Sequence, residues 1–140
     1  MGRSNKRTNT NPELLLRRAL WLNGLRYRLH AHDVIGAPDI LIRSAKVAIF
    51  CDGDFWHGRN WAERKARLAK GSNAVYWTAK IQRNIDRDHD TSRQLRRDGW
   101  LVIRVWEGNV RKDPQRVARS ILWRVAKRRS SQSAHNQLGH

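Results

Sequence analysis

The sequence predicts one α/β domain in which a mixed sheet is flanked by helices, and two observations lead to that prediction. Apolar runs of strand length occur at Ile40–Ile42, Val47–Phe50 and Trp100–Trp106, and such runs are typical of buried strands. Between the last two runs lies a long segment with helical periodicity, Ala74–Asp98. Because a helix that joins neighbouring strands makes them parallel, we expect a right-handed crossover there. The 140 residues suffice for one domain with a substantial core.

The first helix is predicted to begin at Asn11. Asn11 is a good N-cap, Pro12 suits the first helical position, and Glu13 complements the helix dipole. The helix should end at Asn23-Gly24. Its apolar stripe comprises Leu15, Leu16, Ala19, Leu20 and Trp21. Glu13 thus has a sufficient structural reason to be present, and a catalytic role for it remains open.

Residues 25–30 alternate apolar and basic side chains, as in a strand with one solvated face. His30 and His32 follow with a spacing of two, which places them on one face if the strand continues. Two such histidines could bind a metal, but a loop with solvated histidines is the commoner arrangement. We therefore interpret them as solvated.

Two strands of a hairpin form the centre of the prediction. Asp39 precedes the apolar run Ile40–Ile42, and Pro38 before it suits the beginning of a strand. Ser44 and Ala45 are the expected turn, and Val47–Phe50 is the second strand. An acid at the head of a buried strand is seldom needed for packing, which makes Asp39 a candidate functional residue.

The second strand leads into a polar and aromatic loop. Asp52, Asp54 and His57 lie within six residues there, among Gly53, Phe55, Trp56 and Gly58. An isolated Asp-Gly-Asp is usually a solvated turn. Since Asp39 begins the neighbouring strand and His57 is close, the pattern favours a divalent-metal site.

The segment 59–70 is basic and contains Trp61. Basic residues interleaved with tryptophans suit phosphate neutralisation and base stacking. The alternative is a short amphipathic helix with Trp61 in the core. Both interpretations stay open.

The long helix is predicted to bury Trp77, Ile81, Ile85, Ser92 and Leu95. Its acids, Asp86, Asp88 and Asp90, are interpreted as solvated partners of neighbouring basic residues. Gly99 should end the helix, and the strand Trp100–Trp106 is expected to be central. A last helix is predicted after Pro114. Its core-facing side chains should be Val117, Ile121, Leu122, Trp123 and Val125. The folded domain is assigned to residues 11–128, and residues 129–140 are expected to form a polar, mobile tail.

The charge of the chain indicates a polyanionic partner. Lys and Arg number 29 against 12 Asp and Glu, a net charge of +17, and nucleic acid is the simplest partner for such a chain. Residues 1–10 are expected to form a basic, polar arm that is either disordered or orders on a nucleic-acid groove, with Arg3, Lys6 and Arg7 as contacts. The single cysteine, Cys51, excludes an internal disulfide and a multi-cysteine zinc site. No apolar run has the ~20 residues of a membrane span, and we expect a cytoplasmic protein.

Short motifs occur in a fixed order over residues 8–108. They comprise Asn9-Thr10-Asn11-Pro12-Glu13, Leu25-Arg26-Tyr27-Arg28, Gly36-Ala37-Pro38-Asp39, Ala48-Ile49-Phe50, Gly53, Phe55-Trp56-His57, Tyr76-Trp77-Thr78-Ala79-Lys80-Ile81, Asn84, Arg87-Asp88, Leu95-Arg96-Arg97-Asp98-Gly99-Trp100 and Val105-Trp106-Glu107. Each motif is weak alone, but the ordered series resembles the very-short-patch mismatch-repair endonucleases (Vsr). That family is a branch of the PD-(D/E)xK restriction-endonuclease-like superfamily, so the resemblance implies its mixed central sheet.

The resemblance also implies roles for individual residues. Asp39 would be the principal metal-binding carboxylate, with the main-chain carbonyl of Cys51 as a second ligand. Glu13 would order water at the metal, and His57 would act in proton transfer or phosphate orientation at the attacking water. Phe55, Trp56 and Trp77 would wedge open a base stack, with basic residues such as Arg59 and Lys80 on the nucleic acid.

This chain departs from the family pattern at two places. The family holds a structural zinc with cysteines and a histidine, whereas the corresponding positions here are Asp54, Arg59, Trp61 and Gly108. We expect no structural zinc, and either Trp61 packing inward or Asp54 pairing with an arginine would hold the loop. A histidine of the family is replaced by Asp52, which adds a catalytic candidate and a possible second metal ligand.

These observations predict a Mg²⁺-dependent DNA endonuclease that nicks one strand as a monomer, with Mn²⁺ as a substitute ion. Its substrate would be duplex DNA, which could be mismatched or distorted. The enzyme would act in repair or defence, alone or as part of a larger assembly. Two alternatives stay open. One is a non-catalytic DNA-binding module with the same fold, and the other is an RNase.

Overall fold

The computed structural model describes residues 11–55, 57–71 and 73–138, the last four of them as backbone. Five helices and four strands follow one another in the described chain. In order they are α1 (Asn11–Leu22), β1 (Arg28–Leu29), β2 (Ile40–Ile42), β3 (Val47–Asp52), α2 (Trp61–Leu68), α3 (Ala74–Arg97), β4 (Leu101–Trp106), α4 (Glu107–Lys112) and α5 (Pro114–Leu138). A 3₁₀ turn, Arg43–Ala45, joins β2 to β3 at the predicted turn.

The sheet is mixed, with the strand order β1-β2-β3-β4. β1 and β2 are antiparallel, as are β2 and β3, whereas β3 and β4 are parallel and joined through α2 and α3. The predicted α/β class and parallel crossover are therefore confirmed. The prediction that the last strand is central is wrong, because β4 lies at one edge of the sheet formed by the described residues. Its apolar side chains instead pack on helices that cover both faces of the sheet.

Two hydrophobic clusters lie on opposite faces of the sheet. One contains Ile40, Ile42, Val47, Ile49 and Ile103 from the strands, packed on α1, α4 and α5. The other contains Leu41, Ala48, Phe50 and Val102, packed on Leu95 of α3. Successive strand residues point to opposite faces, so the nearly continuous apolar runs follow from having both faces covered.

α1 ends as predicted at Asn23-Gly24, where Gly24 has a φ of +90°. Leu16, Ala19 and Leu20 are buried, but Leu15 and Trp21, which were predicted to be inward, are 41% and 48% exposed. Trp21 packs edge-on against Tyr27 instead. Since β1 has only two residues, the predicted strand over 25–30 forms mostly as irregular chain.

The C-terminal segment differs from the prediction in two ways. A separate short helix, α4, precedes Pro114, and Trp123 is 64% exposed although Ile121 and Val125 on the same helix are buried. α5 continues as helix to Leu138, through most of the segment assigned to a polar tail. The basic arm predicted for residues 1–10 lies outside the described residues. Among the described helices, none has the length and apolar content to cross a membrane.

Candidate active site

The hairpin of β2 and β3 brings the two predicted acidic segments together. β2 begins immediately after Asp39, and the antiparallel pairing places that end of β2 beside the end of β3. The Cys51 N–H donates a hydrogen bond of 2.7 Å to Oδ2 of Asp39. The Asp39 carboxylate therefore contacts the residue that immediately precedes Asp52.

Asp39 has an unusual electrostatic environment. Burial raises its pKa, and the charges of Glu13 and Asp52 raise it further, whereas the Cys51 N–H and His57 lower it; the result is a pKa of about 7. Repulsion among nearby carboxylates in a poorly hydrated site is relieved by a proton or by a cation. The site is therefore electrostatically suited to bind a cation.

The first group of potential ligands consists of Glu13, His30 and Asp39. One ligand atom from each lies within 4.8 Å of the others. Glu13 on α1 is only 2% exposed, and its Oε1 lies 3.2 Å from Arg17 Nη2 and 3.4 Å from His30 Nε2. The interpretation of His30 as a solvated loop residue is wrong, because its side chain is only 22% exposed and its ring contacts Glu13 of α1. The backbone N–H of His30 also donates a hydrogen bond to the Asp39 carbonyl. His32 is exposed, as predicted.

The second group consists of Asp52, His57 and Asp88. His57 Nδ1 lies 2.5 Å from Oδ2 of Asp88 and 3.8 Å from Oδ1 of Asp52. Burial lowers the pKa of His57, but the hydrogen bond to Asp88 and the charges of Asp52 and Asp88 outweigh burial, so the pKa is raised overall. The two groups adjoin one another, because Asp39 contacts the residue that precedes Asp52.

Asp88 was missed by the sequence interpretation, which took all three acids of the long helix as solvated. Asp90 fits that interpretation through its exposed pair with Arg93, at 2.9 Å. Asp88 instead lies on the face of α3 that also carries the buried residues Asn84 and Ser92. Its spacing of four from each of these was a signal in the sequence, since residues four apart share a helix face.

Arg104 on β4 connects the second group to the core. Its Nη1 lies 3.1 Å from both carboxylate oxygens of Asp52, and its Nε–H donates a hydrogen bond of 2.8 Å to the hydroxyl oxygen of Ser92. The guanidinium lies 4.1 Å from the ring centroid of Phe50. Burial raises the pKa of Asp52, and Arg104 opposes that rise without cancelling it. The sequence interpretation treated Arg104 only as a strand residue.

The loop that carries His57 is held by a set of contacts that we call the loop clasp, formed by Asp54, Arg59, Gly108 and Asn109. Asp54 accepts a hydrogen bond of 3.2 Å from the Gly108 N–H and lies 3.5 Å from Nη1 of Arg59. Arg59 Nη2 also donates a hydrogen bond of 2.9 Å to Oδ1 of Asn109. Three of these residues, Asp54, Arg59 and Gly108, are those that the sequence resemblance matches to the family's zinc ligands, and the predicted pairing of Asp54 with an arginine is present.

Trp61, the fourth residue matched to a zinc ligand of the family, is the first residue of α2 and is half-buried. Its indole N–H donates a hydrogen bond of 2.9 Å to Oε1 of Gln82 on α3. The short amphipathic helix predicted for this segment is therefore present, while Trp61 lies against α3 and outside both sheet clusters. The structure leaves a nucleic-acid role for the segment open.

The predicted nucleic-acid contacts are partly described. Phe55 is 38% exposed and lies edge-on to Trp77, with ring centroids 6.0 Å apart. Lys80 lies 5.8 Å from the ring centroid of Tyr76 on the same helix. An aromatic and basic surface therefore adjoins the His57 loop. The remaining predicted contacts, Arg3, Lys6, Arg7 and Trp56, lie outside the described residues.

Comparisons with known proteins agree with this geometry. A family model described as DNA mismatch endonuclease Vsr matches residues 1–63. The Type II nicking enzyme V.NmeDIP of Neisseria meningitidis serogroup C is 47% identical over 110 residues, which cover 79% of this chain and 73% of the relative. The chain belongs to the Vsr endonuclease family.

Other relatives extend the match. Type II nicking enzyme V.HpaIIP of Haemophilus parainfluenzae is 40% identical over 121 residues, covering 86% of this chain and 84% of the relative. DNA mismatch endonuclease Vsr of Escherichia coli (strain K12) is 31% identical over 84 residues, covering 60% of this chain and 52% of that protein. Family membership confirms the resemblance seen in the sequence, while the roles of individual Vsr-type site residues stay predictions.

Proposed function

We propose that this protein is a divalent-metal-dependent DNA endonuclease that hydrolyses one phosphodiester bond and so nicks one strand. The observation that carries the proposal is the contact of Asp39 with the end of β3, which brings two groups of acids and histidines next to each other. Relatives named as nicking enzymes support the strand specificity. One site of this kind in the described part of the chain also fits a monomer that acts on one strand.

Asp39 and the main-chain carbonyl of Cys51 would hold the metal, and Glu13 would order water at it. The N–H and C=O of a strand residue point to the same edge, so the Cys51 carbonyl is directed to the side on which its N–H meets Asp39. Oxygen ligands of this kind suit Mg²⁺, and Mn²⁺ accepts the same set. A bound divalent cation supplies charge neutralisation on the phosphate and a lower pKa for the attacking water.

Asp52 is the less suitable of the predicted metal ligands. Both of its carboxylate oxygens already face Nη1 of Arg104, which supplies a positive charge inside the protein. Asp52 also raises the pKa of His57. We therefore propose that Asp52 supports the proton-transfer residue and fixes Arg104, and that Asp39 carries the metal.

His57 would take the proton from the attacking water. Because Nδ1 lies against Asp88, Nε2 is the nitrogen left for proton transfer. The Asp88 carboxylate selects the tautomer with its proton on Nδ1 and stabilises the imidazolium that forms. General acid–base catalysis of this kind is worth roughly 10²–10⁴-fold in rate.

A plasmid-nicking assay tests the proposal. Parent protein and the Asp39→Ala variant are incubated with supercoiled plasmid and Mg²⁺, and DNA binding is measured separately with a chelator present. The control is Asp33→Ala, which removes an exposed acid paired with Arg43 in the same segment. We expect parent and control to give open circles, and Asp39→Ala to bind without nicking.

Two results would contradict the proposal. If the parent binds matched, mismatched and branched DNA but cleaves none of them with Mg²⁺ or Mn²⁺, the protein is a DNA-binding module. Cleavage of RNA in preference to DNA in a parallel reaction would make it an RNase.

A further inference from the structure

His30 lies beside the candidate metal-binding residues and has no role in the proposed function. It directly follows β1, and its backbone N–H donates a hydrogen bond of 3.2 Å to the Asp39 carbonyl. This bond continues the antiparallel pairing of β1 with β2 by one residue, so His30 lies opposite the acid at the head of β2. The position of His30 beside Asp39 is therefore fixed by the sheet.

The imidazole ring of His30 is close to two carboxylates. Its side chain is 22% exposed, and Nε2 lies 3.4 Å from Oε1 of Glu13, whose side chain is 2% exposed. One ligand atom each from Glu13, His30 and Asp39 lies within 4.8 Å of the other two. Two ligands on opposite sides of one ion, each about 2.1 Å from it, are separated by ~4.2 Å, which falls inside this range. The three side chains are thus close enough to share one ion.

The backbone at His30 is strained. Its φ of +47° lies in the left-handed region, which residues with a side chain rarely adopt. A glycine would adopt this conformation without strain, so a histidine at this position is unfavourable for the backbone. Strained backbone of this kind clusters at functional sites. The imidazole ring itself therefore accounts best for the residue found here.

Arg17 allows the ring to bind an ion without exposing Glu13 to a loss of charge. Nη2 of Arg17 lies 3.2 Å from the same Oε1 atom of Glu13 that His30 contacts. When Nε2 of His30 binds an ion, the buried Glu13 carboxylate keeps a positively charged partner. A buried charge without such a partner would be strongly destabilising.

A nitrogen ligand changes which ion the site prefers. Mg²⁺ is bound by oxygen ligands, whereas imidazole is a common ligand of divalent transition metals. Mn²⁺ belongs to both groups, since it takes carboxylate and carbonyl oxygens and is also a transition-metal ion. Adding His30 to Asp39 and the Cys51 carbonyl would therefore favour Mn²⁺ over Mg²⁺.

We infer that His30 is a ligand of the catalytic metal through Nε2, and that it makes Mn²⁺ the preferred ion of this site. Asp39 and the Cys51 carbonyl bind either ion, and the ring selects between them. The inference rests on the proposed endonuclease function, in which Asp39 holds the cation. It deepens that function by naming the ion and the residue that selects it.

Electron spin echo spectroscopy of bound Mn²⁺ tests the inference directly, because the nitrogen of a coordinated imidazole modulates the echo. Protein without DNA is loaded with less than one equivalent of Mn²⁺. The variants are His30→Asn, His57→Gln and Asp39→Ala, and asparagine is chosen at position 30 because it tolerates a left-handed φ. The control is His32→Asn, which removes an exposed histidine two residues away. Circular dichroism of each variant checks that the helix content is retained.

We expect nitrogen coupling in the parent, and its loss in His30→Asn but not in His57→Gln or His32→Asn. Titration of free Mn²⁺ by ordinary electron paramagnetic resonance should show an affinity at least ~10-fold weaker in His30→Asn than in the parent. The affinity for Mg²⁺, measured by competition, should change less than about threefold, because the oxygen ligands remain.

A parent that binds no Mn²⁺, or whose bound Mn²⁺ shows no nitrogen coupling, would overturn the inference. Coupling that persists in His30→Asn would overturn it too, and coupling lost only in His57→Gln would place the nitrogen ligand in the second group. None of these results depends on cleavage. Plasmid nicking with Mg²⁺ that is lost in Asp39→Ala would still support the endonuclease, whereas Mn²⁺ binding unchanged in Asp39→Ala would contradict the proposed function itself.

Discussion

Asp39 is the residue at which the chain's acids, histidines and backbone meet. It lies at the head of β2, accepts the N–H of Cys51, and is influenced by Glu13, Asp52 and His57. These groups are distant from Asp39 in the sequence, and the hairpin and α1 bring them to it. Its pKa of about 7 means that the ionised form of Asp39 is destabilised in the folded protein when no cation is bound.

The pH dependence of stability tests this environment. An acid whose pKa is higher in the folded state binds its proton more tightly there, so stability falls as the pH rises from the unfolded value near 4 to about 7. Asp39→Asn removes that loss and keeps an acceptor for the Cys51 N–H. We expect the variant to be more stable than the parent by about 2–4 kcal/mol at pH 8, with a smaller difference at pH 5. Urea unfolding followed by tryptophan fluorescence measures the difference. An equal difference at both pH values would show that Asp39 is ionised normally.

Asp88 should set the proton affinity of His57. The hydrogen bond that Asp88 accepts from His57 Nδ1, together with the charge of Asp88, raises the pKa of His57 against the lowering effect of burial. Asp88→Asn should therefore move the acidic limb of the pH–rate profile to lower pH and reduce the maximal rate by about 10-fold to 10²-fold. Asp90→Asn is the matched control, since Asp90 is exposed on the same helix. An unchanged limb in Asp88→Asn would exclude Asp88 as the partner that tunes His57.

At the scale of elements, the loop between β3 and α2 depends on the start of α4. The loop clasp joins Asp54 and Arg59 of the loop to Gly108 and Asn109 of α4. Since His57 lies between the two loop residues of the clasp, its position follows from theirs. The clasp thus contains the residues that the sequence resemblance matches to the zinc ligands of the family.

Gly108→Ala tests the loop clasp. Alanine would normally favour a helix over glycine by about 1 kcal/mol, but a Cβ at position 108 would overlap the Asp54 carboxylate. The carboxylate would have to leave the Gly108 N–H and Arg59, so we expect a loss of about 1–3 kcal/mol in the free energy of unfolding. Gly71→Ala is the control, because its nearest neighbour is the Leu68 carbonyl at an ordinary 3.6 Å. Thermal unfolding of both variants gives the comparison, and a stabilised Gly108→Ala would show that Asp54 is not fixed by α4.

The elements that the sequence predicts well are those governed by local pattern. The apolar runs of β2 and β3, the Gly24 and Gly99 helix ends and the crossover through α3 all depend on spacing within short segments. The edge position of β4 and the exposure of Trp123 depend on which neighbours the chain brings together. For the same reason Arg104 could be found as a site residue only when β4 had been placed beside β3, whereas for Asp88 the sequence offered the helix face but not the neighbours.

At the scale of the whole molecule, the layers leave the candidate site accessible. Helices α1, α4 and α5 cover one face of the sheet and α3 covers the other, while the site lies where β3 leaves the sheet. The chain as a whole carries a net charge of +17. Under the proposed function, the phosphates of a duplex at this site would contact arginines and lysines.

The salt dependence of binding should follow from that charge. Each neutralised phosphate releases counterions and contributes about −0.9 to the slope of log K against log salt concentration. If about six phosphates are contacted, affinity for a paired duplex should fall ~10³-fold between 50 and 200 mM salt. Fluorescence anisotropy with a chelator present measures the slope. A slope near zero would mean that the basic surface does not bind the DNA backbone.

The most direct test of the central claim is single-turnover cleavage of a labelled duplex by the parent, Asp39→Asn and the control Asp33→Asn at increasing Mg²⁺. If the acid at the head of β2 holds the cation that activates hydrolysis, Asp39→Asn should cleave ~10³-fold more slowly while binding the duplex as well as the parent. Asp33→Asn should cleave at the parental rate. Cleavage by Asp39→Asn at the parental rate and with the same Mg²⁺ dependence would contradict the account.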